Sequence, residues 1–258
     1  MPDSTWRLPI AIGVFLLIIA WEWLWPRRPH AQRSRRWPNN LGLALTNILV
    51  MRVSIGAWAV LTAQWTQAHA FGLIPNLPGP AWLHGILALL ALDLAIYGQH
   101  IAAHRWPWLW RLHQVHHSDL MFDASTAVRF HPLEILLSML YKSLCVLLLG
   151  APVWTVVTFE IVLNAAATFN HGNIRLPAAM EHALRLFIIT PDLHRIHHST
   201  DGTEMNSNYG FSLSCWDRLF QTLTKTPKQP QTTLAIGLPD LRTASQLSFG
   251  KLLKLPWR

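Results

Sequence analysis

Leu8 to Trp25 is an almost unbroken apolar run. As a helix rising about 1.5 Å per residue it reaches roughly 27 Å, close to the thickness of a hydrocarbon core. Inside lipid every backbone N–H and C=O must be satisfied within the segment, so such a run can only be a helix. Leu41 to Ala63 and Ala81 to Tyr97 repeat the pattern, as do Glu134 to Leu149 and Val153 to Phe169. Gly150-Ala151-Pro152 between the last two is a turn signal, which predicts a helical hairpin. A cleaved signal peptide fits the first run poorly, because no small-residue cleavage site follows and the run ends in Trp21, Trp23 and Trp25, the mark of an interfacial belt. Hydrophobic residues make up 51% of the chain and charged residues 13%, against about a quarter in soluble domains. The expected fold is an all-α integral membrane protein with four to five transmembrane or hairpin helices.

The formal net charge of +8 admits nucleic acid or a membrane surface as partner. No nucleic-acid-binding motif is present, and the distribution of the charge favours the membrane. With the N-terminus outside, segments 26–40, 100–130 and 170–258 share one side and hold 5, 3 and 10 Lys/Arg, 18 of the 21, whereas the opposite loop 64–80 holds none. The positive-inside rule makes that basic side cytoplasmic, the inner membrane's inner face in a bacterium. Charges interrupt the spans, three of them at telling places. Arg52 must face protein, water or interface, Lys142 weakens the first hairpin helix, and Asp93 is an acid at membrane depth. The expected organisation is a two-span N-terminal membrane region over 1–80, a catalytic domain over 81–225 and a tail over 226–258. Thr224 to Pro239 reads as a loop, and the terminal Lys251-Leu-Leu-Lys-Leu-Pro-Trp257 as a weak surface-resting segment.

Fourteen histidines outnumber the 13 Asp and Glu. His100 and His104 are four apart; His113, His116 and His117 follow His-x-x-His-His, as do His194, His197 and His198. On a helix those offsets set imidazoles on one face, one turn apart, as a metal requires. Random order would give only about 0.04 copies of that triplet, so two copies are not motif noise. Every cluster falls on the cytoplasmic side, as a histidine-rich helical cap. Thr190-Pro191-Asp192 supplies an N-cap, a first-position proline and a first-turn acid for a helix carrying His194. Pro107 lets the chain bend between His104 and His113. Ser214 to Asp217 has capping-box spacing. His30, His69, His84 and His182 stand alone and read as surface or core residues. Asp93, Tyr97, His100 and His104 line one helix face, so Asp93 is either a partner orienting an imidazole or a packing acid. Imidazole suits zinc, copper, iron and nickel, and eight clustered histidines exceed one ion's needs but suit two. Cys145 and Cys215 lie in no ligand spacing and imply neither a disulfide framework nor a thiolate site.

These residues resemble the fatty acid hydroxylase and sterol desaturase superfamily over about half the chain. The likeness rests on Asp93-Leu-Ala-Ile-Tyr-Gly-Gln-His100, His104-Arg105, Leu109-Trp110 and His113-Gln-Val-His-His-Ser-Asp119. It continues through Arg129-Phe-His-Pro-Leu-Glu134, Asn170-His-Gly-Asn173, Pro191 to Ser199, Asn208-Tyr-Gly210 and Trp216-Asp-Arg-Leu-Phe220. The resemblance implies metal ligands at His100, His104, His113, His116, His117, His194, His197 and His198, with His171 a ninth. Fuller family members carry another histidine where Arg175 stands, leaving the tenth position to a water or to His131. Asn170, Asn173, Asn208 and Tyr209 are candidates for hydrogen bonds to the ligands' outer nitrogens, or are turn and cap residues. The implied activity is O2 activation at a di-iron centre and hydroxylation or desaturation of an unactivated C–H bond in a lipid. Electrons would come from an external donor such as a reductase, ferredoxin or cytochrome, since no flavin, haem or iron–sulfur motif is recognisable. Two other classes compete. A zinc-dependent membrane hydrolase would want a carboxylate base beside the histidines, and no cluster contains one. A metal transporter or store would want polar residues lining a path through the spans, and those are few.

Overall fold

The computed structural model describes residues 6–54 and 57–258. It is helical throughout, with three isolated β-bridges and no strand among the described residues. Five helical stretches are long and apolar enough to cross a membrane: Arg7–Leu24, Arg33–Ala68, Ala81–Arg105, Pro132–Leu149 and Val153–Asn170. The first is α1. The second takes in α2 (Arg33–Val53) and α3 (Trp58–Ala68), and the others are α4, α6 and α7. The single span expected over 41–63 is thus divided near Arg52, which lies exposed in the last turn of α2. Ser54 Oγ donates back to the Val50 carbonyl, a local bond that competes with helix continuation.

The hairpin forms as its turn signal predicts. Gly150 ends α6 in a left-handed conformation, φ 63°, with its N–H on the Val146 and Leu147 carbonyls, and Val153 opens α7 behind Pro152. A β-carbon at Gly72 would lie 2.3 Å from the Gly150 nitrogen, so the loop after α3 presses its backbone on the hairpin tip and Leu73 N–H reaches the Leu148 carbonyl. α3, α4, α6 and α7 pack around Ala63, Leu92, Ile96, Val146, Val156 and Phe159, and α1 lies along α7. Their outward faces expose Leu16, Leu17, Leu148 and Trp154, as a lipid-facing surface requires. Trp23 and Trp25 are exposed where α1 ends, as an interfacial belt would be.

Charges within the spans find one another. Lys142 Nζ lies 2.5 Å from Glu160 of α7, whose other carboxylate oxygen is 2.6 Å from Arg7. A lone buried charge would be costly in lipid, so Lys142 interrupts α6 in sequence without disrupting it in space.

Above the bundle sit α5 (Pro107–His117), α8 (Ala178–Leu184), α9 (Pro191–His197), α10 (Gly202–Met205), α11 (Cys215–Leu219) and α12 (Phe249–Lys254). The basic stretch 27–36, read from sequence as a membrane-facing charge, largely knits this cap together. Arg27 grips Asp192 at the start of α9 with two bonds of 3.1 and 2.9 Å. Arg36 is buried and takes Asp119 bidentately at 2.5 and 2.7 Å and Asp123 at 2.8 Å. Arg33 pairs at 2.5 Å with Glu22, the fully buried acid of α1, whose other oxygen accepts from the Ala124 and Asn173 amides. The tail is not a surface-resting segment. Leu252 and Leu255 are buried against Leu43 of α2 and Val115 of α5.

Candidate metal centre

Each histidine motif is delivered by a helix end. α4 runs past the bundle and carries His100 and His104 on its last turns, and Trp106-Pro107 then turns the chain into α5 with His113, His116 and His117. His171 caps the C-terminus of α7. Thr190 caps α9 through its side chain, with Pro191 first and Asp192 in the first turn, as its sequence predicts, and the helix brings His194 and His197 with His198 at its end. The nine imidazoles gather into two adjoining groups. His100, His104, His113, His117 and His197 form one, and His116, His171, His194 and His198 the other; within each group the ring nitrogens lie within 4.8 Å of one another.

Outer ring nitrogens are held from behind. His100 Nδ1 is 2.8 Å from the Tyr209 carbonyl, His197 Nδ1 2.7 Å from that of Ser207, His171 Nδ1 2.7 Å from that of Ala167, and His116 Nδ1 3.3 Å from that of Arg129. A carbonyl can only accept, so each Nδ1 carries the proton and each Nε2 presents a lone pair inward. Burial keeps these rings neutral, lowering His171 to about 4 and His197 to about 3, and pushing His116, His117, His194 and His198 well below the usual imidazole value. The Nε2 atoms of His116 and His171 are nonetheless 3.1 Å apart, and His194 Nε2 lies 3.0 Å from His171 Nε2. Between His116 and His171 neither nitrogen has a proton to donate, so the contact is repulsive unless a cation lies between. The Nε2 atoms of His104, His113, His117, His197 and His198 are buried without any partner. Bare, inward-facing nitrogens at this spacing fit metal ions in both groups.

The remaining sequence-predicted residues are placed differently. Asp93 reaches no imidazole; its Oδ2 accepts from Trp216 Nε1 at 2.8 Å and the Leu213 amide at 3.3 Å, tying α4 to the start of α11. Asn170 donates to the Phe211 carbonyl at 2.5 Å. Tyr209 supports His100 through its backbone oxygen, while its ring packs edge-on against His100, His104 and His197. Asn173 braces Arg28, and Asn208, at φ 52°, braces Leu193 and Thr224. His131 lies outside both groups, capping α6 with Nδ1 and facing the Leu253 carbonyl with Nε2. Ser214 opens α11 without a side-chain cap, and Asp217 instead accepts from the Tyr209 and Gly210 amides.

Two contributors lie beyond the reach of cluster spacing. Glu134, in the first turn of α6, accepts from His113 Nδ1 at 2.6 Å, the one outer nitrogen held by a carboxylate among the described residues. The carboxylate missing from the histidine clusters therefore comes from another helix. Arg129 is fully buried and donates to the Val115 carbonyl, Asn40 and Ser118, bracing the end of α5 that carries His116 and His117. Burial lowers its guanidinium to about 10, partly offset by Asp119. Asp119, which burial alone would raise, is held well below the usual carboxylate range by Arg36.

A cavity of about 320 Å³ leads to the centre from among α2, α4, α6 and α7. Its inner end is formed by His100, His113, His116 and His194, members of both groups, and its walls are mostly aliphatic. Phe130 stacks flat on His116, ring centres 4.3 Å apart, at the same end.

Fold and site together define a multi-span helical membrane protein whose imidazoles gather into two groups that could each hold a metal ion. A fatty acid hydroxylase family model matches residues 85–222, just over half the chain, and the chain belongs to that family. It is 32% identical to the ornithine lipid hydroxylase OlsE of Rhizobium tropici over 58% of this chain and 45% of that protein. It is 29% identical to the alkylglycerol monooxygenase of Danio rerio over 83% of this chain and 46% of that protein. With the cholesterol 25-hydroxylase of Mus musculus the identity is 26% over 90% of this chain and 79% of that protein. The chain thus spans about half the length of the first two. No solved structure matches.

Proposed function

We propose that this protein is an O2-dependent di-iron oxidoreductase that hydroxylates an unactivated C–H bond of a membrane lipid. The observation that carries the reading is the set of nine imidazoles in two adjoining groups at the inner end of an apolar, intramembrane cavity. Two iron ions held by His100, His104, His113, His117 and His197 on one side, and by His116, His171, His194 and His198 on the other, would supply O2 activation. The protein's own groups do the rest. Backbone carbonyls and Glu134 orient the rings of His100, His113, His116, His171 and His197, so that their lone pairs face inward. The aliphatic walls admit a lipid's apolar body without removing it from the bilayer and keep water from the reacting carbon. Putting one oxygen atom of O2 into C–H and reducing the other to water consumes two electrons and two protons. An external reductase, ferredoxin or cytochrome would bring the electrons to the cap, which faces the cytoplasm in this reading.

Family membership and the relatives' names, all lipid hydroxylases or monooxygenases, support the same class. A zinc hydrolase would need three protein ligands and a free carboxylate base. Nine imidazoles exceed that, and Glu134 Oε1 is engaged by the outer nitrogen of His113. A transport path is disfavoured because Lys142, Glu160 and Arg7 close on one another.

The test is lipid mass spectrometry of expressing cells under ¹⁸O2, against His198→Ala. A lipid gaining one labelled oxygen, absent in the variant, is expected. An unlabelled new double bond would assign desaturation instead, and an oxygen drawn from water would refute the oxygenase reading.

A further inference from the structure

The cavity is aliphatic along most of its wall, yet α2, α4, α6 and α7 each place an uncharged polar side chain in it: Asn47, Gln99, Ser138 and Asn164. Polar side chains lining a cavity at membrane depth are expensive unless they serve a ligand or one another. Only part of their capacity is used internally. Asn47 donates through Nδ2 to the Phe130 carbonyl at 3.0 Å, which fixes the amide's orientation and leaves Oδ1 buried with no partner. Asn164 donates back to the Glu160 carbonyl at 2.7 Å, and its Oδ1 has no partner among the described residues. Ser138 Oγ makes a long 3.4 Å contact with Gln99 Oε1, which leaves the Gln99 amino group uncommitted among the described residues. The set therefore offers acceptors at Asn47 Oδ1, Asn164 Oδ1 and Ser138 Oγ and a donor in the Gln99 amino group. No Lys or Arg lines the cavity, and its one carboxylate, Glu134, is held against His113 through Oε1, with Oε2 buried and without a partner.

All four share the cavity whose inner end His100, His113, His116 and His194 form. Gln99 immediately precedes His100, Ser138 lies one turn beyond Glu134, and Asn164 lies one turn before Ala167, whose carbonyl holds His171. One turn is about 5.4 Å, a few carbon–carbon bonds.

We infer that Asn47, Gln99, Ser138 and Asn164 form a polar collar that binds an uncharged lipid group able both to donate and to accept hydrogen bonds, a hydroxyl or secondary amide, and so presents a carbon a few bonds away to the metal centre. The inference deepens the proposed lipid oxidation and rests on it for the identity of the reacting carbon. The collar selects lipids with such a group over plain hydrocarbon chains, and a charged headgroup stays outside the cavity.

The test uses the iron-loaded full chain in phosphatidylcholine nanodiscs, with labelled 1-O-hexadecylglycerol and hexadecane as probes and equilibrium binding as readout. Wild type is expected to prefer hexadecylglycerol. Asn164→Leu and Gln99→Leu are each expected to weaken that probe about tenfold, with hexadecane and bound iron unchanged. Ser138→Ala, the mildest change, is expected to follow in the same direction. Equal affinity of wild type for both probes, or variants that weaken both alike, would overturn the collar. So would ¹⁸O appearing only toward the far end of the hexadecyl chain. Binding needs no turnover, so selective binding without any labelled product would uphold the collar and count against the oxygenase reading alone.

Discussion

Glu134 is the sharpest place to perturb the centre without touching a ligand. Its carboxylate accepts from His113 Nδ1 at 2.6 Å, where the His113 side chain is 5% exposed and that of Glu134 14%. Glu134→Ala leaves the ring's proton without an acceptor, which costs about 1–3 kcal/mol for a buried donor. It also frees the ring to rotate away from the other four imidazoles of its group. Losing such an outer partner lowers metal affinity about 10–100-fold. Glu134→Gln keeps an acceptor of the same reach and should recover most of that loss. The assay is competition for iron between purified protein and a chelator of known affinity, run on wild type, Glu134→Ala and Glu134→Gln. A wild-type affinity in Glu134→Ala, or equal losses in both variants, would refute the argument that this contact orients the ligand.

His117→Ala should lower bound metal and abolish lipid product while membrane insertion persists; His69→Ala should do neither, as metal analysis and fractionation would show. Metal-free protein should lose stability as pH falls through the ordinary histidine value near 6.5, because the unfolded chain takes up protons that the buried rings refuse. For His171, lowered to about 4, the loss is on the order of 3 kcal/mol and is complete once pH reaches that value, a trend visible in unfolding midpoints between pH 7 and 4. Arg36→Met should cost about 3–5 kcal/mol by leaving Asp119 and Asp123 buried without their cation, read as a lower unfolding midpoint. A reporter in the loop after α3, residues 69–80, should read external and one at the C-terminus cytoplasmic; a loop reporter found inside would overturn the topology.

The spans and the histidine motifs are legible in sequence because both are local periodicities. Apolar length names a span, and His-x-x-His-His names a helix face. The partners that fix those rings are not local. Glu134 meets His113 across two helices, and the carbonyls of Ser207 and Tyr209 come from a loop whose residue identity says nothing about its backbone oxygen. Asp93 reads equally as a support for His100 or as a packing acid from its place on α4, and the second holds, because Trp216 and the Leu213 amide bond it. Arg27, Arg33 and Arg36 counted as surface charge because their partners Asp192, Glu22 and Asp119 lie on separate elements; an acid such as Glu22 inside an apolar run was the available signal. Arg52 sat mid-span by hydropathy alone, since hydropathy does not register where α2 ends.

The central claim is that nine imidazoles hold two iron ions side by side. Metal content of the purified full chain, with Mössbauer spectra of ⁵⁷Fe-loaded protein, tests it most directly. Two irons per chain with spectra of nitrogen-ligated iron are expected, and His198→Ala should fall well below two. A single zinc per chain, or iron that His198→Ala retains in full, would contradict it.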